Sequence, residues 1–240
     1  MTSLSLEACA WMYPTTEPIP SRVYPATLPE PRVRDLLVLL PGRGNTQDEF
    51  AEHGFIAEAR AHHPALDIVT ADAHLGYYMK ETIVDRVWTD IIAPARAQGY
   101  QHIWLAGISM GGLGAVAIAR QHADALDGLI LLAPYLGPKS LIEKIAAQGG
   151  PTFWTPDDPH DPYQRLWIWL RQNAPRAEGQ LPGQGPRVML GFGDKDRLSA
   201  AHRLLATLLP AKQVQEIPGG HDWPTWETLW KQYWKAHPKL

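Results

Sequence analysis

A mostly parallel, doubly wound α/β sheet is the architecture this sequence predicts, and three observations predict it. Short, wholly apolar runs bounded by turn residues recur along the chain, and helix-length amphipathic stretches separate them. One of these runs passes through a glycine-flanked serine, "GISMG", straight into a helical stretch rich in small residues. Strands that are apolar throughout, instead of alternating, are what a parallel sheet covered on both faces requires. Regular alternation of such strands with helices then gives the doubly wound class.

Taken in order, residues 1–34 read as an extended, proline-punctuated lead-in, with a strand around "SRVYPATL". The strand candidates that follow are "DLLVLLP" (35–41), "DIVTAD" (67–72), "HIWLAG" (102–107), "LILLAP" (129–134), "RVMLGFG" (187–193) and "KQVQEIP" (212–218). The clearest helices between and after them span 81–98, 110–123, 198–209 and 223–236. In the last, Trp223, Trp226, Leu229, Trp230 and Trp234 recur at helical spacing, which predicts a stripe packed on the sheet. One connection, about 137–186, is too long for a plain turn. It holds a short helix ("SLIEKIAAQ"), the loop "GGPTFWTPDDPHDP", an aromatic helix ("YQRLWIWLRQ") and a Gly/Pro-rich return. An insertion at the carboxyl end of a strand, where ligands bind in such sheets, reads as a short cap-like cover of the active edge. Residues 35–240 therefore read as one domain.

Composition narrows the partners. The chain has 240 residues, 45% hydrophobic and 20% charged, ordinary values for a globular domain of this size. A net charge of −3 offers no electrostatic case for nucleic acid. No apolar run approaches the roughly 18 residues of a membrane span. The single cysteine, Cys9, rules out an intrachain disulfide and a cysteine-rich metal site, and suits a reducing compartment. The start, "MTSLSLEACAWMYP", lacks the basic and apolar regions of a secretory signal, so the expected location is cytoplasmic. "SLEACA" has something of a lipoprotein signal's end, but Glu7 fits poorly there, and a trimmed signal stays an open alternative. "PGRG" and the turn glycines Gly183 and Gly185 precede no G-K-[ST], so no phosphate loop is expected. The proline-broken "TPDDPHDP", with Asp157, Asp158, His160 and Asp161, suits a solvated loop better than a metal cluster. No metal and no cofactor is expected.

The chemistry centres on Ser109. In a strand–turn–helix reversal, Gly107 and Gly111 leave room where a Cβ would clash, and the serine is held in a strained conformation above the sheet. The helix that starts there points its N–H groups at the same place, favouring negative charge. A serine needs a base, and the base an orienting carboxylate. "LGFGDKDRL" ends a strand and offers Asp194 and Asp196, and "IPGGHDWPTW" puts His221 in a glycine-loosened loop after the last strand. His53, His62, His63, His122, His202 and His237 read as solvated residues of helical or terminal segments, and His102 opens a strand at the far end. His74 and His160 lie in loops. "ADAHLGYYMKET" reaches the active edge, so His74, Tyr77, Tyr78 and Met79 are candidate pocket walls, as are Trp154 and Trp167 of the insertion.

With these residues in view, the chain resembles an α/β-hydrolase of the carboxylesterase, thioesterase and phospholipase-like branch. The resemblance runs from about 36 to 230, on "GISMGG", "GDKDRL" and "GGHDWPTW". It implies Ser109 as nucleophile, His221 as general base and the second aspartate, Asp196, as the acid, with Asp194 as runner-up. The family's oxyanion-hole motif has its counterpart in "LLPGRGNT", where Pro41 stands in the usual histidine position. By position the hole donors would be the Arg43 and Met110 N–H groups. The Arg43 side chain is then either a pocket contact or a surface charge. The implied activity is serine hydrolysis of a small carboxylic ester through an acyl-enzyme, with a small-molecule ester as the partner. Thioesterase, lysophospholipase and cofactor-free perhydrolase activity use the same residues. A binding module that kept the fold has no need of Ser, Asp and His in that order.

Overall fold

The computed structural model describes residues 14–28, 33–174 and 185–237. Cys9, the "SLEACA" stretch and Gly183 lie outside the described residues, as does most of the Gly/Pro-rich return of the insertion. The core is one seven-stranded sheet in the order β1-β3-β2-β4-β5-β6-β7. Its strands are β1 Ser21–Tyr24, β2 Asp35–Leu40, β3 Leu66–Ala71, β4 His102–Ile108, β5 Gly128–Leu132, β6 Arg187–Gly193 and β7 Val214–Ile217. All pair in parallel except β1, which runs antiparallel along β3 at the edge, Ser21 opposite Ala71. A strand of the lead-in therefore completes the sheet.

The run "DLLVLL" is buried at every position because consecutive side chains enter two different cores. Leu36, Val38 and Leu40 face one apolar cluster, and Leu37 and Leu39 face the other. The second cluster lies under the helices Glu49–Glu52, Phe55–His62 and Trp223–Ala236. There Trp226, Leu229, Trp230 and Trp234 are all buried, so the tryptophan stripe packs on the sheet. The first cluster lies under a helical run of Ile83–Val87, a π-helical turn Trp88–Ile92 and Ala93–Ala97, followed by Met110–His122 and Ser199–Ala206.

The helices of the long insertion, Lys139–Ala147 and Pro162–Asn173, join this same cluster. Leu141, Ile145, Leu166 and Leu170 are buried, and Trp154 and Trp167 are essentially inaccessible. The Trp167 Nε1–H donates to the Leu136 carbonyl at 2.9 Å, which anchors the insertion to the strand it follows. Burying a tryptophan this fully, with its N–H satisfied, contributes about 3 kcal/mol to holding the segment down. The insertion is thus largely core. Within "TPDDPHDP", Asp161 caps the Pro162–Asn173 helix by accepting from Gln164 N–H at 2.7 Å, Asp158 accepts from His160 N–H, and Asp157 pairs with Lys144.

Candidate active site

Ser109 sits between β4 and the Met110–His122 helix with φ 51 and ψ −111, a conformation that non-glycine residues seldom adopt. The glycines explain how the chain gets there. A Cβ on Gly107 would lie 2.3 Å from the Gly111 carbonyl, and one on Gly111 would lie 2.0 Å from the Leu40 oxygen. Strand, turn and helix thus approach more closely than any side chain permits. The strained serine is clamped on both sides: its N–H donates to Leu132 O at 2.9 Å and its C=O accepts from Tyr135 N–H at 2.8 Å.

The three residues expected to act together are in contact. His221 Nε2 is 2.9 Å from Ser109 Oγ, and His221 Nδ1 is 2.7 Å from Asp196 Oδ2. The two neighbouring aspartates divide the work. Asp194 accepts from Gly219 N–H at 3.0 Å and ties the histidine loop to the end of β6, whereas Asp196 reaches the imidazole. The Asp196 side chain is fully buried. Burial pushes its carboxyl up, but hydrogen bonds from His221 and from Leu198 N–H, with the field of His221, outweigh it and hold it below the usual carboxylate range. An ionised carboxylate only accepts, so His221 carries its proton on Nδ1, and Nε2 is left to accept from the Ser109 hydroxyl.

Above Ser109 opens a cavity of about 540 Å³. Its apolar walls are Leu75 and Met79, Leu113 of the Met110–His122 helix and Leu198, with Met110 beside the serine. Tyr78, Tyr135 and Tyr163 supply the aromatic wall, and Arg43 and Arg197 supply the charge. Neither the Arg43 nor the Met110 N–H has a hydrogen-bond acceptor among the described residues. Of the candidate pocket residues, Tyr78 lines this cavity. Tyr77 does not: its ring is wholly buried, with its hydroxyl donating to Thr16 O at 3.0 Å. His74 caps the short Leu75–Met79 helix through Nδ1 and lies against the Tyr77 ring. Trp154 and Trp167 are core residues, because the insertion turns these rings into the apolar cluster and brings Tyr163 to the cavity.

Residues 42–155 match the family model described as serine aminopeptidase, S33. No curated protein matches the chain in sequence. Among solved structures, FphF, a fluorophosphonate-binding serine hydrolase of Staphylococcus aureus, superposes with a TM-score of 0.60 at 16% identity, covering 94% of this chain and 96% of that one. The chain has the α/β-hydrolase fold. A monoacylglycerol lipase of Paleococcus ferrophilus (TM-score 0.58, 15% identity, 92% and 99% covered) has the same architecture. So does an S-formylglutathione hydrolase of S. aureus (0.56, 18%, 91% and 83%).

Behind the Ser109 turn lies a residue that sequence reasoning misplaced. His202 is not solvated. It is completely buried on the inner face of the Ser199–Ala206 helix, against Phe192, and its Nε2–H donates to Pro134 O at 2.9 Å. Burial pushes its pKa down to about 4, against the opposing pull of the Asp196 charge. The residue it holds sits between Ala133, itself at φ 47, and Tyr135, whose N–H clamps Ser109. The signal was present in the helix, where Ala201, His202 and Leu205 share its buried side. The other supposedly solvated histidines are half-buried and partnered as well: His63 with Asp35, His53 with Glu227 and Trp223, His62 with Glu58, His122 stacked on Trp88 and His237 on Tyr233.

Proposed function

We propose that this protein, built on the α/β-hydrolase fold, is a serine hydrolase that cleaves small carboxylic esters through an acyl-enzyme on Ser109. The observation that carries the reading is one imidazole in hydrogen-bond contact with both a strained serine hydroxyl and a buried carboxylate. His221 Nε2 takes the Ser109 proton as Oγ attacks the ester carbonyl carbon. The Arg43 and Met110 N–H groups, left without internal acceptors, are the donors for the oxyanion that forms. The C–O bond to the alcohol breaks as His221 returns the proton to the leaving oxygen. Water then gives its proton to the same nitrogen and attacks the acyl carbon, and Ser109 leaves with the proton as the acid departs. Asp196 keeps the imidazole in the productive tautomer and stabilises its cationic form. The cavity is small and partly aromatic, which favours short acyl and alcohol groups.

A fluorophosphonate probe tests the nucleophile: labelling of the wild type and none of Ser109→Ala is expected. Folded wild-type protein that resists labelling would refute the reading. Across p-nitrophenyl esters of increasing chain length, kcat/KM should fall beyond the short acyl groups, and a flat profile would remove the short-chain assignment.

A further inference from the structure

The cavity above Ser109 is charged in one sense only. Arg43, from the turn after β2, and Arg197, the residue following Asp196, both line it, and no aspartate or glutamate does so among the described residues. Four arginines elsewhere are ion-paired, Arg22 with Asp48, Arg86 with Glu17, Arg96 with Asp127 and Arg203 with Glu216, whereas Arg120 and Arg165, like the two cavity arginines, have no ion pair among the described residues. Neither Arg43 nor Arg197 has an ion pair or side-chain hydrogen bond among the described residues. The nearest carboxylate of the site, Asp196, has no exposed surface and is engaged by His221, so its charge is not presented to the cavity. Two guanidinium groups always carry their charge at neutral pH, and here they stand at the exposed rim of the cavity, next to its tyrosine and leucine walls.

Nothing in the chemistry of Ser109 calls for this arrangement, since the oxyanion is served by backbone N–H groups. A neutral ester would leave both cations solvated and idle. An ester with a carboxylate or phosphate on its acyl or alcohol part would neutralise them and accept paired N–H donors from a planar fork. We propose that this site selects anionic esters, with the Arg43 and Arg197 side chains as its specificity-determining contacts. The proposal rests on Ser109 being the nucleophile.

The test uses two pairs of esters that differ in charge and little else. The acyl pair is the p-nitrophenyl half-ester of glutaric acid against p-nitrophenyl glutaramate. The alcohol pair is carboxymethyl butyrate against carbamoylmethyl butyrate. Rates are taken after subtracting those with Ser109→Ala, which removes spontaneous cyclisation of the half-ester. In at least one pair the anionic member should have a kcat/KM about tenfold or more higher at low salt, as expected for hydrogen bonds to a charged group. That ratio should fall as salt is raised, and approach one in the Arg43→Gln, Arg197→Gln double variant. If the double variant does not fold, the salt dependence of the wild type decides. Ratios near one in both pairs, or ratios unmoved by salt and by substitution, overturn the proposal. If that happens while fluorophosphonate still labels Ser109, the hydrolase reading survives and the anion preference alone fails. Absence of both labelling and hydrolysis overturns the two together.

Discussion

Two imidazoles feel the Asp196 carboxylate, and the fold uses them in opposite ways. His221 comes from a loop after β7, keeps a small exposed edge and bridges Ser109 and Asp196. His202 comes from a helix packed on the sheet, is closed to solvent and holds the Pro134 carbonyl behind the Ser109 turn. In the proposed reaction the first moves a proton, since its two nitrogens contact a hydroxyl and a carboxylate. The second is held neutral by burial, and its Nδ1 has no partner among the described residues. Residue type and a nearby carboxylate are thus common to both. Access to solvent and to the serine separates them.

The sharpest way to break this contrast is to remove each imidazole in turn. His221→Ala should lower kcat on a good ester by about 10⁵- to 10⁶-fold while leaving the unfolding midpoint nearly unchanged. His202→Gln, which keeps a donor for Pro134 O, should retain most of the activity. Equal losses in the two variants would mean that the buried imidazole also takes part in the chemistry. Asp196→Asn comes next. An amide in place of the carboxylate can donate to His221 Nδ1, fix the wrong tautomer and cost about 10⁴-fold in kcat. A much smaller loss would transfer the orienting role to another group.

The smallest effect concerns stability. The unfolded chain takes up a proton on His202 near pH 6.5, whereas the folded state resists it down to about 4. Its contribution is therefore fully present above about 6.5 and is lost as the pH falls through that window, by about 3 kcal/mol. Urea unfolding between neutral pH and pH 4 should show this loss in the wild type, and His202→Gln should flatten it. An equal slope in both proteins would assign the acid sensitivity to other groups.

Much of the architecture was legible in the chain because parallel strands covered on both faces must be apolar throughout, as "DLLVLL" and "HIWLAG" are. The site's backbone was legible for a related reason. Only glycine tolerates a carbonyl 2.0 Å from where its Cβ would stand, so "GISMG" announces a close three-way approach of strand, turn and helix. The order Ser109, Asp196, His221 followed from the same topology, since each residue lies just past the carboxyl end of a strand. What the linear pattern left open was which of two aspartates reaches the imidazole. Asp194 and Asp196 are two positions apart, and the geometry of the loop decides the matter by giving one to Gly219 and the other to His221.

The pocket was the least legible part. Its walls come from the Leu75–Met79 turn, the Met110–His122 helix, the bend after β5, the insertion and the loop bearing Arg197, and no local periodicity links them. Aromatic residues near the active edge gave an ambiguous signal, because burial in a core and lining of a cavity favour the same side chains. Trp154 and Trp167 went to the core while Tyr163, in the same segment, went to the cavity. The amino-acid order by itself determined the sheet, the reversal at Ser109 and the reactive residue types, since these depend on short-range sterics and on burial that every strand repeats. The tertiary structure decided which aspartate meets the imidazole of His221, that His202 is buried, and which arginines stand beside the serine without an ion pair among the described residues, because those outcomes depend on distances between segments far apart in the chain.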